Sequence, residues 1–519
     1  MNGLLRTDGA RIIDAQGDPV LLRGAALGGW MMMENFMNGF PGREHQIRHA
    51  LKKVLGEEKT EFFFDKFLEY FFTDKDAAFL KSIGFNCVRL CLNYHHFEDD
   101  MKPFQIKEEG FKHVDRVIDI VGIPSLKRDA ETPADDCKCA KHGIYTIIDM
   151  HALPGGQNQD WHCDNPTGHA AFWDHIHFQD RAVNLWEHIA KRYRGNAWVA
   201  GYNPMNEPAD SEWTRLLSFY DRIVPAIRKV DPEHILFLEG NTFSMDFTGF
   251  DKVFPNSVYA NRQIQGHADQ EQYIRRMYDR KVAFMKEHNV PIWNGEFGPI
   301  YERKENNPDW ELHNNERYDM LERQLAIYSD ESIAWSIWSY KDINVMGLMY
   351  LPPDSAWFKL LGPIIQKRGI WPSTHGHTMT PTSKTASSGP STNGSRICAA
   401  ALQQKVFRPI RGILLAEYLV PEWADYFKDK TFEELDELAA SWKYENCHQR
   451  ERLNELMSTY APMTSEDKRL EGKVIKAEKT SESAVTSADK SVSGVGVFEL
   501  SPEEKKKAIE SQQPVPVAA

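Results

Sequence analysis

The chain lacks any long apolar run: no window in its 519 residues approaches the roughly 18 consecutive apolar residues that a membrane-spanning helix needs. Its opening stretch, MNGLLRTDGARIIDAQGDPV, holds no apolar core of the kind a secretory leader carries. A cytoplasmic home is therefore expected, although a chain that had lost its true start would read the same and be secreted. Cysteine is scarce and unpaired in number. The seven residues, Cys87, Cys91, Cys137, Cys139, Cys163, Cys398 and Cys447, are scattered, which argues against a disulfide framework and fits reduced thiols. Positive charge is in deficit, with 62 Lys and Arg against 75 Asp and Glu for a net charge of -13. That balance argues against a phosphate backbone as the main partner and against an anionic membrane surface. No HExxH or CxxC spacing, no internal repeat, and no Gly-rich phosphate turn after the first strand candidate is found.

What is present is a pattern of alternating elements. The apolar fraction of 41% suffices for a sizeable core, and the 14 Trp residues offer flat faces of the kind sugar rings stack on. Eight short runs, nearly continuous in apolar residues, span 19–27, 86–92, 144–151, 199–208, 234–241, 257–264, 291–298 and 333–340. Such runs suit strands covered on both faces. Between them lie stretches with apolar residues at helical spacing, such as Phe111–Ile120, Phe178–Tyr193, Ser211–Lys229, Gln270–His288 and Arg317–Ser329. Eight β-then-α units predict an α/β fold, a (β/α)8 TIM barrel, over residues 1–370.

Two stretches break the rhythm. Val121–Lys138 interrupts a helix; without it, VDRVIDI joins CAKHG as one amphipathic helix with a Gly stop. It reads either as a non-native insertion, such as a translated intron, or as an extra surface loop. Residues 371–405 are rich in Ser, Thr, Pro and Gly and read as a low-complexity linker. Helical periodicity returns over 406–460, read as a small C-terminal helical appendage, and 461–519 has the composition of a disordered tail.

Cleaving a glycosidic bond takes two carboxyl groups, one to protonate the leaving oxygen and one to attack or stabilise the anomeric carbon. In a parallel barrel such groups belong at the C-terminal ends of strands. Glu207 ends the fourth strand candidate, in Asn206-Glu207-Pro208, and Glu296 ends the seventh, in Asn294-Gly295-Glu296-Phe297-Gly298. A retaining pair is expected about 5–5.5 Å apart, with the acid kept protonated by burial or by its neighbour.

These two motifs in these two strands resemble glycoside hydrolase family 5, a family of retaining barrel enzymes. The resemblance covers about 15–345 and implies Glu207 as acid/base and Glu296 as nucleophile. It further implies Arg89 as the support of the nucleophile, His151 as a subsite wall, Asn206 as the partner of the sugar 2-hydroxyl and Trp338 as the sugar platform. RGAALGGWMMMENF and DMHALPGGQNQDWHCDN are similar to the fungal exo-β-1,3-glucanase-like members, with Asp149, His151, Gln157 and Asn158 in step and Glu34 against the terminal sugar. One departure stands out: the His or Tyr stretch usual after strand six is missing, and His267 is the residue left to substitute. The expected substrate is a β-glucan or β-glucoside, with exo-hydrolysis of β-1,3-glucan ahead of cellulose and of steryl or aryl glucosides. No cofactor is expected, since two carboxylates suffice.

Alternatives remain open at this point. One is an inactive barrel that binds carbohydrate or serves as a scaffold. Another is a metal-dependent hydrolase built on His151, His162, Cys163, His169, His175 and His177. A third is an inverting enzyme.

Overall fold

Each of the eight apolar runs contains a strand. They are β1 (Arg23–Ala26), β2 (Cys87–Asn93), β3 (Tyr145–Ala152), β4 (Val199–Asn203), β5 (Ile235–Glu239), β6 (Ser257–Arg262), β7 (Ile292–Phe297) and β8 (Ala334–Ile337). In the computed structural model they pair in parallel and in chain order, and β8 returns to β1 to close the barrel. The structure describes residues 3–122, 142–165, 167–262, 271–304, 307–367 and 416–462. All fall within one compact unit, Met1–Gly472.

The alternation of side chains sorts each strand into two jobs. Val88, Leu90, Ile148 and Met150 face the helices and join the larger core. The inward positions run from apolar at the bottom to polar at the top. Cys87, Ile147, Phe237 and Trp293 fill the lower barrel, under a hairpin (Arg6–Asp8 with Arg11–Ile13) that seals it with Leu5 and Ile12. Close approach of strands demands glycine here: a Cβ on Gly24 would lie 1.7 Å from the Cys87 carbonyl oxygen, and one on Gly201 would lie 2.1 Å from that of Ile235. Above this layer stand Arg89, Asp149, His151, Asn203 and Glu239, all buried.

Strict alternation from the inward Trp293 would turn Glu296 away from the barrel interior. The pairing slips on both sides of β7, between Asn261 and Arg262 on β6 and between Trp335 and Ile337 on β8. This irregularity at Gly295 inserts one residue and re-aims Glu296 inward, the usual work of a bulge beside a site.

Around the strands pack α4 (Lys112–Val121), α5 (Ile176–Tyr193), α6 (Arg215–Val230), α7 (Glu271–His288) and α8 (Trp310–Asp330), close to the helical stretches expected. Between β1 and β2 lie three helices that the sequence analysis did not single out: α1 (Glu44–Leu55), α2 (Glu57–Phe71) and α3 (Asp74–Ser82). The C-terminal segment packs on them. Helical residues 416–425 are followed by α10 (Phe432–Ala440) and α11 (Glu451–Tyr460), with α9 (Ala356–Lys367) preceding them. Trp442 packs against Phe67, Phe71 and Trp357 at ring distances of 5.5, 5.2 and 5.3 Å, and Trp423 meets Phe40 at 5.2 Å. Lys341, fully buried just past β8, pairs with Asp76 and donates to the carbonyls of Phe71 and Trp442. The helices expected as an appendage therefore share the barrel's own core. The 123–138 part of the expected insertion, the 371–405 linker and the tail from 463 lie outside the described residues.

Candidate active site

Arg89, in the middle of β2 and 1% exposed, organises the upper barrel. Its Nη1 donates to Glu296 Oε1 at 2.6 Å and to the Gly295 carbonyl at 3.2 Å. Its Nη2 donates to Asn206 Oδ1 at 2.6 Å, to Asn203 Oδ1 at 3.0 Å and to Glu239 Oε1 at 3.3 Å, while Nε lies 3.2 Å from Asp149 Oδ2. Three carboxyls thus meet one guanidinium out of water. One cation cannot offset three buried anions, so protons must be retained. Burial, only partly offset by Arg89, pushes Glu239 up to about 8 and Asp149 up to about 6. Burial disfavours the charged guanidinium, yet Asp149 and Glu296 outweigh it and raise Arg89 well above its ordinary value.

Hydrogen-bond logic fixes the tautomer of His151. Arg89 can only donate, so Asn206 presents Oδ1 to it and turns Nδ2 to His151 Nε2 at 3.1 Å. The imidazole proton then sits on Nδ1 and is donated to Asp149 Oδ2 at 2.7 Å. His151 Nε2 is also 3.8 Å from Glu296 Oε1, and its ring stacks on Trp338 with centroids 5.3 Å apart and planes 13° from parallel. Trp338 is buried, with its ring directly against Gly28 on the β1 side.

Glu207 has a left-handed backbone, φ 47°, uncommon for a residue with a Cβ. Its main chain is held on both sides: its N–H donates to Glu239 Oε2 at 2.7 Å, and its carbonyl accepts from Asn158 Nδ2 at 2.8 Å. Ser244 donates to the same Glu239 oxygen. Gln157 ties the β3 loop to this turn, donating to the carbonyls of His151 and Asn206 at 2.7 and 2.8 Å.

Of the residues singled out from sequence, Glu207, Glu296, Arg89, His151, Asn206, Asn158 and Trp338 form one connected cluster at the C-terminal end of the barrel. Glu34 is buried in the β1 loop, where its carbonyl caps the short helix Asn35–Asn38. His267 lies outside the described residues. Glu239 was missed. The signal was available, because an acidic residue ending the apolar strand ILFLE is costly to bury without a use.

The His-rich stretch does not gather as a metal-ligand set. His169 pairs with Asp174 at 2.8 Å near the surface, and His175 and His177 lie against Phe178 and Phe104. Cys163 donates to backbone carbonyls, and burial pushes its thiol up to about 12. Among the described residues the one group spaced as metal ligands is Cys91, Asp149 and His151. There Asp149 already serves Arg89 and His151, and burial raises the Cys91 thiol well above its ordinary value, which disfavours the thiolate a metal would take.

A family model, cellulase (glycosyl hydrolase family 5), matches residues 137–344. A protein of Phanerodontia chrysosporium named β-xylosidase is 45% identical over 489 residues, covering 89% of this chain and 99% of that protein. The chain belongs to glycoside hydrolase family 5. It is accordingly a glycosidase, and its substrate is a carbohydrate. Glucan 1,3-β-glucosidase 3 of Schizosaccharomyces pombe is 24% identical over 343 residues, covering 62% of this chain and 70% of that one. Among solved structures, that of an endogalactoceramidase aligns with a TM-score of 0.46 and 19% identity, over 66% of this chain and 75% of that one. Among the described residues no helix of this family 5 member is long and apolar enough to cross a membrane.

The raised Glu239 carboxyl makes stability depend on pH. Its proton is held more tightly in the folded chain than in the unfolded one. The associated stability is therefore fully present below the ordinary value of 4.5 and is lost as pH rises through about 8. Glu239→Gln cannot titrate. Scanning calorimetry between about pH 5 and pH 8 is expected to give a shallower fall in Tm for this variant than for the parent. Parallel slopes would show that Glu239 titrates normally.

Proposed function

We propose that the chain is a retaining β-glycosidase in which Glu296 is the nucleophile and Glu207 the acid/base. The observation that carries this is the Arg89 fork, which grips Glu296 on one nitrogen and Asn206, the neighbour of Glu207, on the other. In the first step the Glu296 carboxylate attacks the anomeric carbon. The bond to the leaving oxygen breaks with its electron pair, and that oxygen takes the proton of Glu207. In the second step Glu207, now ionised, takes a proton from water as the water oxygen displaces Glu296. Arg89 donates to Glu296 Oε1 at 2.6 Å and holds that carboxyl in place for the attack. Asn206, anchored by Arg89 and His151, has a second N–H for the sugar 2-hydroxyl, and Trp338 forms the apolar floor beside His151.

The substrate we favour is a β-glucan or β-glucoside, with trimming of β-1,3-glucan from an end. The family, together with a relative named glucan 1,3-β-glucosidase, supports this. The relative named β-xylosidase supports a second glycone, a β-xyloside, for the same machinery. Proton NMR of the first product from a panel of aryl β-glucosides, β-xylosides and glucans tests both points. The β-anomer is expected first, with single sugars released from glucan. A first-formed α-anomer would mean inversion, and oligosaccharides from the outset would mean internal cleavage.

A further inference from the structure

His162 lies in the loop after β3, in the single turn Trp161–Cys163, and only 7% of it is exposed. Its Nε2 is 3.4 Å from Glu207 Oε2, and its ring centroid is 5.3 Å from that of His151. The protonation of that nitrogen follows from Asn158. The Asn158 amide is oriented by two main-chain partners: Oδ1 accepts from the Asp160 N–H at 2.9 Å, and Nδ2 donates to the Glu207 carbonyl at 2.8 Å. A flipped amide would lose both. The remaining Nδ2 hydrogen therefore points at His162 Nε2, 2.7 Å away, and that nitrogen must accept. The imidazole is neutral, with its proton on Nδ1 and its lone pair at the edge of the Glu207 carboxyl. A lone pair there repels a carboxylate and attracts a carboxylic acid.

We propose that His162 is a positioning residue for Glu207: its Nε2, which accepts from Asn158, turns a negative edge to Oε2 3.4 Å away that disfavours the carboxylate and holds Glu207 in the acid form, aimed, until the glycosidic oxygen takes the proton. This rests on the reading of Glu207 as the acid/base. Asn158 joins the two parts, since one amide grips the Glu207 main chain and sets the tautomer of the ring beside its side chain. Among the described residues, the other charged groups linked to Glu207 come from different elements. Glu239 of β5 meets its main-chain N–H, and Arg89 of β2 reaches it through Asn206. Glu296 of β7 and Asp149 of β3 connect to it through Arg89 and His151. None of these hydrogen bonds is made by His162.

Leaving-group chemistry separates this role from a merely structural one. A 2,4-dinitrophenyl β-glucoside departs without protonation, whereas an alkyl β-glucoside needs the acid. For His162→Ala, kcat/KM on the alkyl glucoside is expected to fall by about 10-fold or more, and on the dinitrophenyl glucoside by less than about threefold. The alkaline limb of the kcat/KM profile is expected to move down by about one pH unit, the counterpart of a tenfold change in proton affinity. His162→Gln, whose amide oxygen can accept from Asn158 and turn the same negative edge to Glu207, is expected to recover most of the loss. Equal losses on both substrates with an unmoved alkaline limb would overturn the proposal, and so would full activity of His162→Ala on the alkyl glucoside. Glu207→Ala with azide and the dinitrophenyl glucoside serves as the separate check. A β-glucosyl azide product supports the acid/base reading whatever His162 does, and its absence would fell that reading and this inference together.

Discussion

Glu296→Ala is expected to lower kcat on β-glucosides by about 10⁴-fold or more, because the nucleophile's bond to the anomeric carbon has no replacement. The variant should still fold. Arg89 keeps Asp149 and Glu239 as partners, so no bare cation is left in the barrel. Added azide should restore turnover by attacking in place of the missing carboxylate and give the α-glucosyl azide. Steady-state kinetics with product NMR checks both points. The assignment has a real competitor in the same network, because Glu239 also touches Arg89. Glu239, however, is engaged by the Glu207 N–H and by Ser244, and its raised proton affinity makes it a poor nucleophile near neutral pH. Full activity in Glu296→Ala together with loss in Glu239→Ala would exchange the two roles.

A chain ended at residue 415 is expected to have no cooperatively folded state. Residues 416–462 bury Trp423, Phe427, Leu435, Leu438, Trp442, Leu453 and Met457 in the core shared with the barrel. At about 1.5–3 kcal/mol for each such side chain, their loss removes on the order of 10–20 kcal/mol. Domains are commonly stable by only about 5–15 kcal/mol. The same cut strips Lys341 of its Trp442 partner and Arg23 of the Tyr460 carbonyl. Circular dichroism melting of the truncated chain should show no sharp transition. Trp442→Ala offers the graded version, with a loss of about 3–5 kcal/mol read by denaturant titration. A truncated chain that melts like the full one would make the segment a true appendage.

The barrel was legible because strands covered on both faces announce themselves as apolar runs, and all eight such runs hold a strand. Glu207 and Glu296 stood out as candidates because each sits in a short motif at or just past a strand end. The means by which Glu296 faces inward was not, since a one-residue slip at Gly295 leaves no mark in the pattern of IWNGEF. Glu239 closes a strand that was read correctly, but no motif surrounds it, and its importance comes from a contact with a residue 32 positions earlier. His162 was grouped with neighbours in sequence that turn out to point elsewhere. Its relation to Glu207 depends on how the β3 loop folds back over the end of β4. The shared core of α2 and the C-terminal segment was hidden for the same reason: Phe67 and Trp442 meet across most of the chain.

The most direct test of the account is to trap the covalent intermediate. A 2-deoxy-2-fluoro β-glucoside with a good leaving group slows the second step more than the first, so the sugar accumulates on the nucleophile. Peptide mapping by mass spectrometry should find one fluorosugar on the peptide carrying Glu296. A label on any other carboxylate, or complete turnover with no labelled protein and an inverted product, would contradict it.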